Sequence, residues 1–365
     1  MNKTTLIIDG NWLLMSRLGA AIKDFSLDYS EAELDQASDN LVDFLARSVN
    51  KIINYFDDTI DNIMMVQDGG SWRKRVPKPA LYHEEYKGNR IQDQTVSWSH
   101  IWKALTSFCT SFNSNNITCV SEHGVEGDDW CWYWSRLLNR AGTNTIIWSS
   151  DQDLQQLVQK DAETGNWTVW YNDRAGLVVN SCYQESDDFV DAMMNFENRD
   201  QDLTALIDLV VRLGSKLSYI NPYDIVMKKV IAGDAGDNIK PLVRVVVKGR
   251  TNRVSERDWS KINEDLGIRN IDTFKQSVPK IINRIRAIKR LSSNSDSDSA
   301  LQEMFDFNLK LVWLDKSTIP QDILRKMNSY KDQYKQFDLN FIRNNYKILT
   351  NRNTDHIQDL FETLS

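Results

Sequence analysis

The sequence predicts an α/β protein with a central, mostly parallel sheet, followed by a helical domain. Three observations support that class. Short apolar runs recur and end in carboxylates: Leu6-Ile7-Ile8 before Asp9-Gly10, Ile63-Met64-Met65-Val66 before Gln67-Asp68, and Thr145-Ile146-Ile147-Trp148 before Ser149-Ser150-Asp151-Gln152-Asp153. Runs of this kind read as strands buried on both faces of a parallel sheet. Stretches with helical spacing separate them, as βαβ units require. From about residue 186 the periodicity is mostly helical, so two domains are expected, 1–185 and 186–365.

Strand-like runs fall at 5–8, 63–67, 117–121 and 145–149. Leu41, Phe44, Leu45, Val49, Ile52, Ile53 and Phe56 recur at helical spacing and predict a helix over 39–56. Another helix follows Glu126, with Trp130, Trp134, Leu137, Leu138 and Ala141 on one face and Gly142 as its stop. Its tryptophans, Trp132 included, are expected in the core. The runs 167–171 and 177–180 flank Asn172-Asp173-Arg174-Ala175-Gly176 and read as a hairpin. Phe189, Leu203, Leu206, Leu209, Val210 and Leu213 carry the later helical pattern. The polar, low-complexity stretch 292–299 reads as a mobile loop, after which 300–345 resumes as amphipathic helix broken near Pro320.

At 365 residues the chain can bury a substantial core. Cys109, Cys119, Cys131 and Cys182 show no CxxC pairing, which indicates neither a zinc site nor a disulfide framework. The N-terminus runs almost directly into a strand, and no run of about 18 apolar residues occurs. Secretion and membrane insertion are therefore not expected, and the chain reads as cytoplasmic. The net charge of −7 is unevenly spread: the stretch from Lys240 to Arg290 carries far more Lys and Arg than acids. A basic face suited to a polyanion thus sits in an otherwise acidic chain.

The acids define the chemistry. To the three strand ends are added Glu126-Gly127-Asp128-Asp129 and Gly233-Asp234-Ala235-Gly236-Asp237. Taken singly, an Asp after a strand more often caps a helix or closes a turn. Together, at least four strand ends or helix starts deliver acids to one topological place, the crevice beyond the carboxyl ends of the strands. Two like charges about 4 Å apart repel by roughly 4 kcal/mol at an effective dielectric near 20. Divalent cations relieve that repulsion, and all-oxygen ligation suits Mg²⁺ or Mn²⁺. Asp151 and Asp153, two apart, project to one side if their strand continues. His83, His100, His123 and His356 show no ligand spacing among themselves.

The blocks LIIDG (6–10), VQDG (66–69), YHEEYKGNR (82–90), VEGDD (125–129), SSDQD (149–153) and AGDAGDNI (232–239) occur in that order. The set resembles the flap-endonuclease/5′-nuclease superfamily, most closely its bacteriophage RNase H, or 5′-3′ exonuclease, branch. A weaker likeness continues through FNLKLVWLDKSTIP at 307–320. The resemblance implies a PIN-like 5′-nuclease domain and two Mg²⁺ ions, for which Mn²⁺ would substitute. Asp9, Asp68, Glu126 and Asp128 look like ligands of the first ion, and Asp151, Asp153 and Asp237 of the second. Asp234 is then an accessory ligand and Asp129 an outer group. The implied activity is a 5′-3′ exonuclease and flap endonuclease removing RNA primers or 5′ flaps in replication, in a phage-infected bacterium. The implied partners are DNA and RNA–DNA hybrid with a free 5′ end. A monomer without membrane association is expected. The C-terminal helices offer a surface for a single-strand-binding protein or sliding clamp, although no motif specifies one. A PIN-type ribonuclease and a non-catalytic structure-specific DNA-binding protein are the rival readings.

In the related enzymes the region after the second acid forms an arch over the site, here expected at about 70–112. It carries Arg73 and Lys74 for the nucleic acid, and Tyr86 to stack on a base. Lys87 and Arg90, three apart, are expected to share a helix face and stabilise the scissile phosphate. After Asn238 the family usually continues with a glycine-rich helix–hairpin–helix. Here the glycines are missing, so duplex binding is expected to rest on Arg244, Lys248, Arg250 and Arg253.

Overall fold

A computed structural model of the chain describes residues 3–82, 84–90, 92–181, 201–247, 250–289 and 298–350. β1 (Lys3–Asp9) leads into α1 (Gly10–Ala21), and α2 (Glu31–Phe56) into β2 (Asn62–Val66). After a long irregular segment come α3 (Trp98–Ser114), β3 (Thr118–Val120), α4 (Gly127–Arg140) and β4 (Thr143–Trp148). The sheet is completed by β5 (Gln159–Lys160), β6 (Trp167–Asn172), β7 (Gly176–Asn180) and, beyond α5 (Gln201–Arg212), β8 (Leu217–Ile220). Its order is β3-β2-β1-β4-β6-β7-β8, with β5 on β6. β3, β2, β1, β4 and β6 run parallel, so their carboxyl ends open on one edge. β6 and β7 form the expected antiparallel hairpin.

Alternation along each strand feeds two cores, as the two-residue side-chain period dictates. Leu6, Ile8, Ile63, Met65, Ile146 and Trp148 face one layer, with Leu41, Leu45, Val49 and Ile53 of α2 and Ile101, Leu105 and Phe108 of α3. Ile7, Met64, Val66 and Ile147 face the other, with Trp130 and Trp134 of α4. The tryptophans of α4 are thus structural. Helix α2 starts eight residues before its expected position, because Ser30 and Glu33 form a reciprocal capping box there.

A third core gathers α6 (Pro222–Ala232), α7 (Glu256–Leu266), α8 (Ile271–Gln276), α9 (Val278–Lys289) and α10 (Asp298–Val312). These cores divide the chain differently from an expected break at 185/186. Leu203, Leu206 and Val210 of α5 pack in the first core, and β8 closes the sheet. Ile323 and Met327 of α11 (Gln321–Asn328) return to the α4 face. Pro320 precedes α11 and separates it from α10, while residues 292–297 of the polar segment lie outside the described residues. Between α6 and α7, β9 (Arg244–Val247) and β10 (Arg250–Arg253) pair as an antiparallel hairpin. This is a strand ribbon, not a helix–hairpin–helix. Three β-branched valines in a row favour strand over helix there.

Candidate metal centre and nucleic-acid face

Asp9 ends β1 and caps α1, accepting from the Trp12 backbone N–H at 3.0 Å and from Ser149 Oγ at 2.8 Å. Asp68 follows β2, and its Oδ1 accepts the Gly127 N–H at 2.5 Å. Asn11 Oδ1 fixes the Asp68 backbone from the side of α1, at 2.9 Å. A Cβ on Gly69 would stand 1.8 Å from Glu122 O, so only glycine lets the Asp68 turn lie against that loop. Glu126 caps α4, which carries Asp128 in its first turn. Asp151 caps the short 3₁₀ helix Gln152–Leu157 and accepts the Asp153 N–H at 2.9 Å. β4 has ended at Trp148, so Asp151 and Asp153 are displayed by a helix start instead of by the continued strand.

The remaining acids come from the third core. α6 stops at Gly233, whose φ of +76° and close approach to Ile239 O exclude a side chain. Asp234 and Ile239 then exchange backbone hydrogen bonds of 2.8 and 2.7 Å, closing a tight loop that displays Asp234 and Asp237. Oxygens of Asp153, Asp234 and Asp237 all lie within 4.8 Å of one another. Acids from β4, α4, β1 and the α6 loop therefore meet at one edge of the sheet.

Mutual influence among the carboxyls traces the cluster. Burial, and then Asp68 and Asp151, push Asp9 up to about 7. Burial and Asp151 raise Asp153 to about 7 as well. Burial raises Asp68 despite its open edge to solvent, and raises Asp128 strongly with Asp151 adding. Glu126 differs: burial opposes its charge, but Arg73 and Lys87 hold it down at about 2. Crowded carboxylate oxygens, two of which protonate near neutrality without a counter-ion, fit hard divalent cations.

Cations of the protein already take part. Lys87 Nζ lies 3.1 Å from Glu126 Oε1, and Arg90 Nη2 lies 2.6 Å from Asp237 Oδ1. The two residues occupy a turn, not a helix: Gly88 N–H bonds Glu85 O, and Lys87 takes a left-handed φ of +56°. Lys87 N–H donates to Asp237 O at 2.9 Å, which ties this turn to the α6 loop. Lys74, Lys87 and Arg90 line an open cleft of about 580 Å³ with Asp68 and Glu126. Basic rim and acidic floor share one groove.

Two expected nucleic-acid contacts are placed elsewhere. Arg73 is buried, with Nη1 at 2.5 Å from Glu126 Oε2, Nη2 at 2.9 Å from Asp129 Oδ1 and Nε on Leu311 O. It supports the acids from beneath and cannot reach a phosphate. Asp129 is spent in the same knot, also accepting from Trp72 Nε1 and the Glu126 N–H. Tyr86 is buried among residues of the third core, and its hydroxyl donates to Asp237 at 3.1 Å, so its ring is not open for base stacking. Among the described residues of the expected arch, no α-helix precedes Trp98, and Trp98–Ser114 is a core helix. Arg253 is exposed at the end of β10, opposite Arg244 in register; Arg250 begins that strand, and Lys248 lies outside the described residues.

Sequence reasoning missed Lys229. In the last turn of α6, it contacts Asp153 Oδ1 and lies 2.5 Å from Asp234 Oδ2. Its signal was position: a lysine facing forward from a helix that runs straight into an acid block. Ser149 and Asn11 were missed for a different reason, since neutral orienting groups leave no charge pattern.

No family model matches the chain. Over 341 residues, 91% of this chain and 93% of the other, it is 24% identical to a 5′-3′ exonuclease of Mycoplasmopsis pulmonis. Its fold is similar to the bacteriophage T5 D15 protein co-crystallised with metal ions, at a TM-score of 0.52 and 15% identity, covering 91% of this chain and 99% of that one. The T5 D15 flap endonuclease in a complex with DNA and metal ions superposes with the same TM-score and identity, covering 91% and 98%. The sequence likeness is thus to a 5′-3′ exonuclease, and the fold is the one these T5 proteins share.

Proposed function

We propose that the chain is a divalent-metal-dependent 5′-3′ exonuclease and flap endonuclease. Its substrates would be 5′ flaps, nicked duplexes and RNA–DNA hybrids of primers in replication, released as 5′-phosphorylated products. The observation that carries this reading is the meeting of seven acids, Asp9, Asp68, Glu126, Asp128, Asp151, Asp153 and Asp237, beside a cleft rimmed by Lys74, Lys87 and Arg90. The named relatives, a 5′-3′ exonuclease and a flap endonuclease held with DNA and metal ions, support it.

Asp9, Asp68, Glu126 and Asp128 would hold one ion, and Asp151, Asp153 and Asp237 the other, with Asp234 beside them. Divalent ions held there would supply Lewis-acid activation of water and neutralisation of developing negative charge. The rest is the work of the chain. Ser149 and the Gly127 N–H aim the Asp9 and Asp68 carboxylates. Arg73 holds Glu126 ionised from below, and Lys87 approaches from the cleft side. Lys87 and Arg90 place positive charge where a phosphodiester would enter, and their withdrawal would slow cleavage more than binding. The exposed Arg253 on the β9–β10 ribbon gives a duplex a second hold through its phosphates.

A panel of 5′-labelled flap DNA, nicked duplex, RNA–DNA hybrid and single-stranded RNA tests this reading. Cleavage of the flap and the hybrid with Mg²⁺, abolished by chelator, is expected. Cleavage confined to single-stranded RNA would instead identify a ribonuclease, and binding without cleavage a non-catalytic protein.

A further inference from the structure

We propose that Glu31, Asp35 and His100 form a second cation site, for one transition-metal ion of the Zn²⁺ class, where α2 and α3 begin. Nothing in the acid cluster is shared with it. Glu31 and Asp35 stand one helical turn apart on α2, and His100 lies in the first turn of α3. His100 Nε2 is 3.1 Å from Glu31 Oε1 and 4.0 Å from Asp35 Oδ1. One donor atom from each residue falls within 4.8 Å of the other two. Donors held at about 2.0–2.2 Å in a tetrahedral shell are roughly 3.3 Å apart, so small rotations of two solvent-facing carboxylates supply three of the four positions and leave the fourth to water.

The imidazole is the reason this grouping is more than a pair of surface acids. His100 is only 8% exposed, and Ser97 Oγ, itself buried, sits 2.8 Å from Nδ1. A ligating histidine is characteristically oriented through its other nitrogen in this way, leaving Nε2 to face the ion. The backbone beneath is fixed too: Ser38 Oγ of α2 donates to His100 O at 3.1 Å. Two carboxylates and a neutral imidazole match the charge of one divalent ion. Mixed nitrogen and oxygen donors favour a borderline ion over Mg²⁺, which prefers an all-oxygen shell. Lys103 Nζ, 2.6 Å from Asp35 Oδ1, is the resident competitor.

The position suggests what such an ion would fasten. Ser97 N–H bonds Phe25 O at 2.8 Å, Leu27 N–H bonds Thr95 O at 3.0 Å, and Ser26 bridges Val96. These contacts anchor the downstream root of the segment that carries Lys87 and Arg90 to the cleft. An ion joining α2 to α3 stiffens that root without touching the acids.

Isothermal titration of the full chain with Zn²⁺, in saturating Mg²⁺ to fill the all-oxygen sites, tests the proposal. One Zn²⁺ is expected to bind the wild-type chain and to be lost in His100→Gln. Glu31→Gln, on an exposed side chain that folding does not need, should weaken it at least tenfold. Ser97→Ala should weaken it about tenfold or more, as removal of an orienting partner does. Lys103→Met should tighten it several-fold. Zn²⁺ uptake that Glu31→Gln and His100→Gln leave unchanged, or that only Asp151→Asn removes, would overturn the site. Cleavage of flap DNA in Mg²⁺ alone separates this result from the nuclease reading, because it depends on the other cluster.

Discussion

Lys229 Nζ lies 2.5 Å from Asp234 Oδ2 and also contacts Asp153, so one ammonium bridges an acid of the sheet edge to an acid of the α6 loop. Burial disfavours that charge, but Asp153 and Asp234 hold Lys229 protonated far above the working range. The lysine thus stands in for a cation in the free protein. Lys229→Met should cost the chelated protein about 1–3 kcal/mol, the desolvation left on two unpaired carboxylates. Saturating Mn²⁺ should recover most of that loss. Thermal melts with chelator and with Mn²⁺ measure it, and an equal deficit in both conditions would show that the lysine does not substitute for an ion.

Arg73 is expected to behave as a foundation and not as a DNA contact. Its fork serves Glu126 and Asp129 together, and breaking a buried pair costs about 3–5 kcal/mol. Arg73→Lys keeps the charge but cannot fork, so it should still destabilise strongly. Urea unfolding gives the loss. A variant of native stability with weakened DNA affinity would contradict this placement.

Tyr86→Phe removes the hydroxyl on Asp237 and keeps the buried ring. DNA affinity should stay within about twofold, whereas cleavage should fall several-fold as Asp237 loses an orienting bond. Fluorescence anisotropy beside single-turnover cleavage separates the two effects. A large loss of single-strand affinity, of the about 1–3 kcal/mol a stacked base contributes, would restore the stacking role.

Stability of the chelated chain should fall as pH rises toward neutrality. Asp9 and Asp153 sit at about 7 in the folded chain against 3.8 ordinarily. Between those values the folded state binds more protons than the unfolded one, so folding weakens with rising pH. Glu126, at about 2, works in the opposite sense, but its contribution is complete above its ordinary 4.5 and constant from pH 5 to 8. The melting temperature in chelator should therefore be lower at pH 8 than at pH 5.5, and Mg²⁺ should raise it most at pH 8. A chelated melting temperature that climbs over this range would contradict the crowding of the carboxyls.

The sheet was legible because Leu6-Ile7-Ile8 and its counterparts are apolar on both faces, a pattern little else explains. The acids were legible because each follows such a run or starts a helix. What was hidden is decided by partners distant in sequence. Arg73 looks like a surface base until Glu126, Asp129 and Leu311 close over it. Tyr86 looks like a stacking platform until the third core receives it. His100 showed no spacing to another histidine because its companions are carboxylates on α2, some 65 residues earlier in the chain. The β9–β10 ribbon departs from the glycine-rich pattern that the resemblance implied, and missing glycines alone do not name the replacement.

The most direct measurement is cleavage of a 5′-labelled flap by Asp151→Asn, with DNA affinity measured on the same preparation. Cleavage in Mg²⁺ should fall by at least about 100-fold, the scale of losing one preorganised electrostatic group, while affinity is retained. Near-full cleavage by that variant would contradict the metal-holding role proposed for these carboxylates.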